Sequence, residues 1–135
     1  MKTTTDDLGK LLVRVTLAGL MLFHGVHKLA HGIEPIRAML AGHGVPALVA
    51  YGVYVGEVVA PLLLLLGVYA RVGGLVVAVN MVIAVLLVHT GQLFTLSQSG
   101  GWSLELQFFY FALGLAVALL GAGRYALAPP GKKWN

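Results

Sequence analysis

The fold is decided by the stretch from residue 46 to residue 89, which reads PALVAYGVYVGEVVAPLLLLLGVYARVGGLVVAVNMVIAVLLVH. It contains two apolar runs and only two charged residues, Glu57 and Arg71. A helix of about 20 residues, rising 1.5 Å per residue, crosses a hydrocarbon core of roughly 30 Å. The turn between the two runs, residues 67–70, is so short that the helices must be antiparallel neighbours. The stretch therefore predicts a transmembrane helical hairpin.

Apolar runs of similar length lie on either side of this hairpin. All four predicted spans belong to one integral membrane domain, 1–135, and they cover residues 8–29, 46–66, 71–89 and 104–121. Helices are expected because an open strand edge in lipid would leave backbone groups without hydrogen bonds. The predicted fold class is all-α, a four-transmembrane-helix antiparallel bundle. The two longer loops, 30–45 and 90–103, leave room for a lid or a short interfacial helix.

The composition of the whole chain agrees with a membrane protein. Of its 135 residues, 59% are hydrophobic and 10% are charged, whereas an average soluble domain has roughly 25% charged residues. A soluble fold of this size could not bury so much apolar surface, and a disordered chain would be polar. The sequence has no cysteine, which excludes disulfides, thiolate metal sites and dithiol redox chemistry.

The distribution of basic residues predicts the orientation in the membrane. Four spans put both ends of the chain on one side, and only Lys28 and Arg37 fall on the other side. The seven basic residues on the side of the termini are Lys2, Lys10, Arg14, Arg71, Arg124, Lys132 and Lys133. This asymmetry predicts that the N- and C-termini are cytoplasmic. The net charge of +4 lies at the termini and one turn, so the expected partner is the lipid bilayer and not nucleic acid.

Polar side chains inside the spans are the candidates for function, because they are costly in lipid and usually face the bundle interior or a cavity. Counting about 1.5 Å per residue from the cytoplasmic ends places Glu57 and Asn80 near the midplane and His24 one turn further out. The same count places a second group near the outer interface: His27, Lys28, His89, Glu105 and Gln107.

Glu57 is the strongest of these candidates. Its neighbours on both sides are apolar, and its side chain is too short to reach the headgroups from the midplane. We expect it to be either protonated at neutral pH or paired with a cation, for which His24 and Arg14 are the candidates. Pro61 follows Glu57 by four residues and is predicted to loosen that helical turn. A loosened turn beside a buried carboxylate is consistent with a cavity there.

The first helix carries a polar stripe. His24, His27, Lys28 and His31 follow the i, i+3, i+4, i+7 pattern and share one face, and Arg14 shares the same broad side. We expect the stripe to face the other three helices. Simpler roles are also open for these polar residues. Arg14, Lys28 and His31 would then reach the headgroups, Lys28 would pair with Glu105 at the rim, and Asn80 would join two helices.

The chain resembles the DoxX family of small bacterial membrane proteins over nearly its whole length. Arg14 and the run GLMLFHGVHKL at 19–29 are similar to the family's opening Arg, glycine-containing hydrophobic run and Gly-x-x-Lys-Leu. Residues 57–71 resemble the family's Glu, leucine-rich run, Gly and Arg. The closing GAGRYAL at 121–127 resembles Gly-x-Gly-Arg-x-Ser-Leu-Asp, with Ala126 and Ala128 where Ser and Asp are usual.

The resemblance implies a bacterial inner (cytoplasmic) membrane location and a link to quinone or quinol chemistry through redox partner proteins. The name-giving members were described as a subunit of a terminal quinol oxidase. The family does not supply a settled set of catalytic residues. Arg14, Lys28, Glu57 and Arg71 are therefore carried over as motif positions only.

Three hypotheses follow for the function. In the first, the chain is an accessory redox subunit without autonomous activity, and it binds a quinone in a polar cavity in the outer half of the bundle. The candidate ligand-binding residues are Arg14, His24, His27, Lys28, Glu57, Asn80, His89 and Glu105.

In the second hypothesis, the outer histidines bind copper, zinc or haem, since imidazole nitrogens suit all three. The candidate metal ligands are His24, His27, His31 and His89. In the third, the chain is a non-enzymatic scaffold or a small transporter. Assembly into a homo-oligomer is open under each hypothesis.

Overall fold

The computed structural model describes residues 4–128, 131 and 133–135, and in this part of the chain it is helical without a regular strand. The helices are α1 (Thr4–His31), α2 (Glu34–Gly42), α3 (Ala47–Leu66), α4 (Ala70–Val88) and α5 (Glu105–Leu120). The predicted all-α class is confirmed. Among the described helices, α1, α3 and α4 are long and apolar enough to cross a membrane, whereas the apolar α5 has 16 residues and is shorter.

The first helix begins earlier than the sequence predicted, and the loop that follows it contains a short helix. Helix α1 begins four residues before the predicted span, with Asp6 and Asp7 in its first turn, where carboxylates interact favourably with the helix dipole. The Lys10 ammonium pairs with the Asp6 carboxylate, one turn earlier, at 2.7 Å, and this ion pair stabilises the first turns of the helix. The first long loop contains α2, whose Pro35 lies at the start of the helix, a position that suits the fixed φ of proline.

Both described ends of the chain lie at the same end of the bundle, which we call the terminal end. The backbone N–H of Arg124 donates to Asp7 Oδ1 at 3.2 Å, and Arg71 Nε donates to the carbonyl of Asn135 at 3.3 Å. The turn between α3 and α4 is also here, and it begins with Gly67 in the left-handed conformation (φ 68°). The opposite end, which we call the distal end, carries α2 and the loop between α4 and α5.

Two arginines bind helix C-termini at the terminal end. Arg14 is 1% exposed, and its guanidinium donates to the carbonyls of Leu64, Leu65 and Tyr125. Arg71 donates to the carbonyls of Ala118 and Leu119 at 2.8 and 2.7 Å. The last carbonyls of a helix have no partner within it, and a cation there also complements the helix dipole.

The expectations that Arg14 reaches the headgroups or pairs with Glu57 are therefore wrong. Its side chain is buried, and it caps the end of α3. Arg14 does lie on the polar side of α1, as predicted, but at the terminal end that side contacts the backbone of α3.

Close approach of α4 and α5 depends on glycine. A side chain at Gly74 would contact the carbonyl oxygen of Gly114 at 2.5 Å, and one at Gly114 would contact the carbonyl oxygen of Gly74 at 2.7 Å. Small residues allow this backbone contact between membrane helices. The contact also sets the register of the two antiparallel helices, because Gly74 and Gly114 lie at the same level.

Candidate ligand-binding cavity

A cavity of about 440 Å³ lies between the helices in the distal half of the bundle. Its walls are mainly apolar, and α2 contributes Ile36, Met39 and Leu40 to them. The volume falls within the range of roughly 300–1,000 Å³ that is usual for small-molecule sites. The polar residues that line the cavity are His24, Lys28, Glu57, Asn80, His89, Gln107 and Tyr110.

The ammonium of Lys28 pairs with the carboxylate of Glu57 in this cavity. The Glu57 side chain is 9% exposed and the Lys28 side chain is 24% exposed. The sequence predicted a cationic partner for Glu57 as one of two possibilities, but it named His24 and Arg14. That choice of partner was wrong, and so was the alternative pairing of Lys28 with Glu105.

The direction of the side chains explains this pairing. Side chains on a helix tilt toward its N-terminus. Because α1 and α3 are antiparallel, Lys28 reaches toward the terminal end and Glu57 reaches toward the distal end, so that the two groups meet. A depth in the membrane that is counted along the Cα positions takes no account of the tilt of either side chain, so it places the two charged groups too far apart. Arg14 lies eleven residues before Gly25, which is level with Glu57, and that separation is roughly 16 Å along the helix.

The backbone at Glu57 is a π-helical turn. In the turn Val55–Val59, the N–H of Ala60 donates to the carbonyl of Val55, five residues earlier. Pro61 follows and has no N–H to donate to the Glu57 carbonyl. The prediction that Pro61 loosens this turn is confirmed. Such π turns within α-helices occur frequently at functional sites.

Gly25 of α1 lies directly against this widened turn. A Cβ at Gly25 would collide with the backbone carbonyl of Glu57. The absence of a side chain therefore lets α1 approach α3 at the level of the carboxylate. This contact brings Lys28, one turn further along α1, within reach of Glu57.

Asn80 and Gln107 bring two unpaired amide atoms to the cavity. Asn80 lies over Gly56, where a side chain would overlap it. Asn80 Nδ2 and Gln107 Oε1 are buried, and neither atom has a hydrogen-bond partner among the described residues. Most buried polar atoms in proteins are hydrogen-bonded, so unpaired ones require an explanation.

His24 and Tyr110 form an aromatic contact at the cavity wall. Their ring centroids are 5.9 Å apart and the rings are perpendicular. Tyr110 was not a sequence candidate, because a tyrosine in an apolar span resembles an ordinary core residue. It lies three residues after Gln107 and so on the same helical face, which is the sequence signal that could have found it.

The structure brings five of the eight candidate ligand-binding residues together and leaves three outside. His24, Lys28, Glu57, Asn80 and His89 line the cavity. The other three are elsewhere: Arg14 caps α3 at the terminal end, and His27 and Glu105 are exposed.

The four candidate metal ligands are divided between two places. His27 and His31 stack on each other with ring centroids 4.2 Å apart, whereas His24 and His89 line the cavity. Over residues 4–128, 131 and 133–135, no group of three or more His, Asp or Glu side chains is arranged to hold a metal ion. His24 and His27 differ by about 60° around the helix at 3.6 residues per turn, which is sufficient to separate the two pairs.

Two comparisons with known proteins match this chain, one to a family model and one to a single relative. The DoxX family model matches residues 9–90, more than half of the chain. The chain is also 32% identical over 121 residues to an uncharacterized protein of Haemophilus influenzae, with 85% of this chain and 84% of that protein covered. No solved structure gives a significant match. The match over α1 to α4, which includes Arg14, Lys28, Glu57 and Arg71, shows that the chain belongs to the DoxX family of membrane proteins.

Proposed function

We propose that the chain is an accessory subunit of a redox system in the bacterial inner membrane and that its cavity binds a quinone or quinol. The single observation that carries the proposal is the composition of the cavity: an apolar chamber with a partly buried ion pair, Lys28–Glu57, on its wall. A quinone likewise combines polar and apolar parts, because it has polar oxygens on a ring and an apolar tail.

The polar lining offers groups of both kinds to the oxygens of such a ring. The Lys28 ammonium and the Asn80 amide are donors, the Glu57 carboxylate is an acceptor, and the His24 imidazole can act as either. In this proposal Lys28 binds one ring oxygen, and Glu57 and His24 lie nearby as groups able to hold a proton. Arg14 and His27 take no part, since they lie outside the cavity.

The rim of the cavity offers a route for the tail. Val49, Ile83 and Val88 line the cavity and are each about half exposed, at 56%, 48% and 54%. Exposed apolar side chains on a membrane helix contact lipid. An isoprenoid tail that leaves the cavity along these residues would therefore enter the acyl chains of the bilayer.

The proposed orientation puts this cavity in the outer half of the membrane. Helix α5 spans about 24 Å at 1.5 Å per residue, most of a hydrocarbon core of roughly 30 Å, so we take it as the fourth crossing. Lys10, Arg71 and Arg124 lie at the terminal end, which is therefore assigned to the cytoplasm by the positive-inside rule.

Quinone retention and binding test the proposal. We expect protein extracted from bacterial membranes in mild detergent to carry quinone, and the delipidated protein to bind an added short-chain quinone. Glu57→Gln and Lys28→Met should weaken binding by at least tenfold. Glu34→Gln is the matched control, because Glu34 pairs with Arg37 on the exposed face of α2. Wild-type protein that retains no quinone and binds none would contradict the proposal.

A further inference from the structure

We propose that residues 93–104, which we call the distal hairpin, lie in the membrane interface at the distal end, and that a groove behind them holds an acyl chain of a phospholipid. Two large apolar side chains of the hairpin face outward: Phe94 is 99% exposed and Leu96 is 73% exposed. Contact with lipid is favourable for apolar surface, whereas contact with water is not. The occupant of this groove does not depend on the ligand proposed for the cavity.

Helix α5 stops short of α4 at the distal end. Gly74 of α4 lies level with Gly114 of α5. From this level α4 continues for fourteen residues to Val88, whereas α5 reaches back nine residues to Glu105. The difference of five residues is a shortfall of roughly 7.5 Å. The distal hairpin directly precedes α5 in the chain, so its side chains are available to cover the depth that α5 does not reach.

Trp102 holds the hairpin against the lipid-facing side of α5. Its ring centroid lies 5.8 Å from that of Phe108, whose side chain is 54% exposed. The indole N–H of Trp102 donates to the carbonyl of Leu93 at 2.9 Å, so it does not require water as a partner. Tryptophan is enriched at membrane interfaces, where its large apolar ring contacts lipid.

The composition of the hairpin suits an interface. No residue from 90 to 104 is Asp, Glu, Lys or Arg, so no charge has to be removed from water. The backbone N–H of Ser97 donates to the carbonyl of Gly101 at 2.7 Å across the hairpin, and such internal bonds lower the cost of contact with lipid. The tip, residues 97–100, is polar and is expected to face water.

A groove of about 180 Å³ lies between the hairpin and the two helices. Val82 and Leu86 of α4 line it and are 44% and 64% exposed, so it is continuous with the surface that α4 presents to lipid. Met81 and Gln107 line both this groove and the ligand cavity and form the wall between them. The other lining residues are Val85, Leu93, Trp102, Leu104, Phe108 and Phe111.

This continuity favours an acyl chain over a segment of another protein. Acyl chains already surround the exposed side of α4, and a chain that enters the groove stays in apolar surroundings along its length. Apart from Gln107, the groove offers only apolar side chains and the indole of Trp102, whose N–H is already bound to Leu93. A polar partner would therefore find few groups to bind here.

The first test measures the depth of the hairpin in phosphatidylcholine vesicles. Because the chain has no cysteine, Phe94→Cys and Gln98→Cys each introduce a single site for a nitroxide label. Collisions of the label with oxygen, which concentrates in lipid, are compared with collisions with a water-soluble nickel complex. We expect the oxygen-to-nickel ratio to be severalfold higher at Phe94 than at Gln98, the matched control at the polar tip.

The second test detects the acyl chain in the groove. Trp134→Phe leaves Trp102 as the single tryptophan. Vesicles of phosphatidylcholine brominated in the upper part of its acyl chains should remove most of the Trp102 fluorescence. Val85→Phe, which fills the groove, should restore much of it. Val79→Phe is the matched control, because Val79 is an exposed residue of α4 that does not line the groove, and it should leave the quenching unchanged.

Both results are required. Equal oxygen-to-nickel ratios at Phe94 and Gln98 would place the hairpin in water, as expected of a surface that binds another protein, and would overturn the proposal. Trp102 fluorescence that brominated lipid does not reduce, or quenching that Val85→Phe leaves unchanged, would also overturn it. Each of these outcomes leaves the quinone proposal standing, since quinone binding to the cavity is measured separately.

Discussion

Replacing Lys28 with methionine removes the cation that pairs with Glu57 and keeps the length of the side chain. The carboxylate is then left at a position where its side chain is only 9% exposed. Breaking a buried ion pair by removing one partner typically costs 3–5 kcal/mol, roughly. Because the Lys28 side chain is 24% exposed, we expect a smaller loss of about 2 kcal/mol in the free energy of unfolding.

The double variant Lys28→Met/Glu57→Gln identifies the source of this loss. Removing both charges leaves no uncompensated group, so the double variant should be more stable than the sum of the single effects predicts. We expect a coupling free energy of about 1–2 kcal/mol, within the range found for groups in direct contact. The same cycle on Glu34 and Arg37, which pair on the exposed face of α2, should give less than about 1 kcal/mol.

Equilibrium unfolding by sodium dodecyl sulfate in mixed micelles, followed by tryptophan fluorescence, measures these free energies. Quinone binding is measured on the same samples. Additive effects of Lys28→Met and Glu57→Gln, within about 0.5 kcal/mol, would show that the two groups do not interact. That result would refute both the pairing and the argument that side-chain direction brings the two helices' charges together.

Further changes test the contacts around the cavity and the orientation. Gly25→Ala should destabilise the protein by about 1–3 kcal/mol and weaken ligand binding, because the added methyl overlaps the Glu57 carbonyl. Gly19→Ala, which meets nothing within 4 Å, should be neutral or stabilising in the same unfolding assay. Arg14→Leu should cost about 2–3 kcal/mol in that assay, because it leaves carbonyls at the end of α3 without donors, and no effect would contradict the capping role. Because the chain has no cysteine, Ser99→Cys in intact cells tests the orientation: an impermeant maleimide should label it, and labelling only after lysis would reverse the assignment.

The sequence predicts the helices well where their ends are chemically marked. Helix α3 was expected at 46–66 and α4 at 71–89, and the structure gives Ala47–Leu66 and Ala70–Val88. A glycine in the left-handed conformation and an arginine mark the turn between them. The start of α1 was less predictable, because the polar residues before Leu8 continue the helix beyond the apolar run that defined the span.

The candidate site was predictable to the level of residues but not of partners. Polar groups within apolar helices usually face inward. This rule selected Glu57, Asn80 and His24, which line one cavity, but it also selected His27 and Glu105, which are exposed. Which charge meets which depends on the tilt of long side chains and on the register between helices. Neither quantity is contained in a count of residues along one helix.

The two halves of the bundle use their charged side chains in different ways. At the terminal end, the guanidinium groups of Arg14 and Arg71 bind backbone carbonyls that every helix C-terminus leaves free, so these charges complete the secondary structure. In the distal half, Lys28 and Glu57 line a cavity and bind no helix terminus. A buried pair of this kind is weak as a source of stability, since apolar residues of similar size often do as well. The arginines therefore act on the backbone, by satisfying carbonyls at helix ends, whereas the Lys28–Glu57 pair forms part of the polar lining of the cavity, where the proposed ligand would meet a donor and an acceptor.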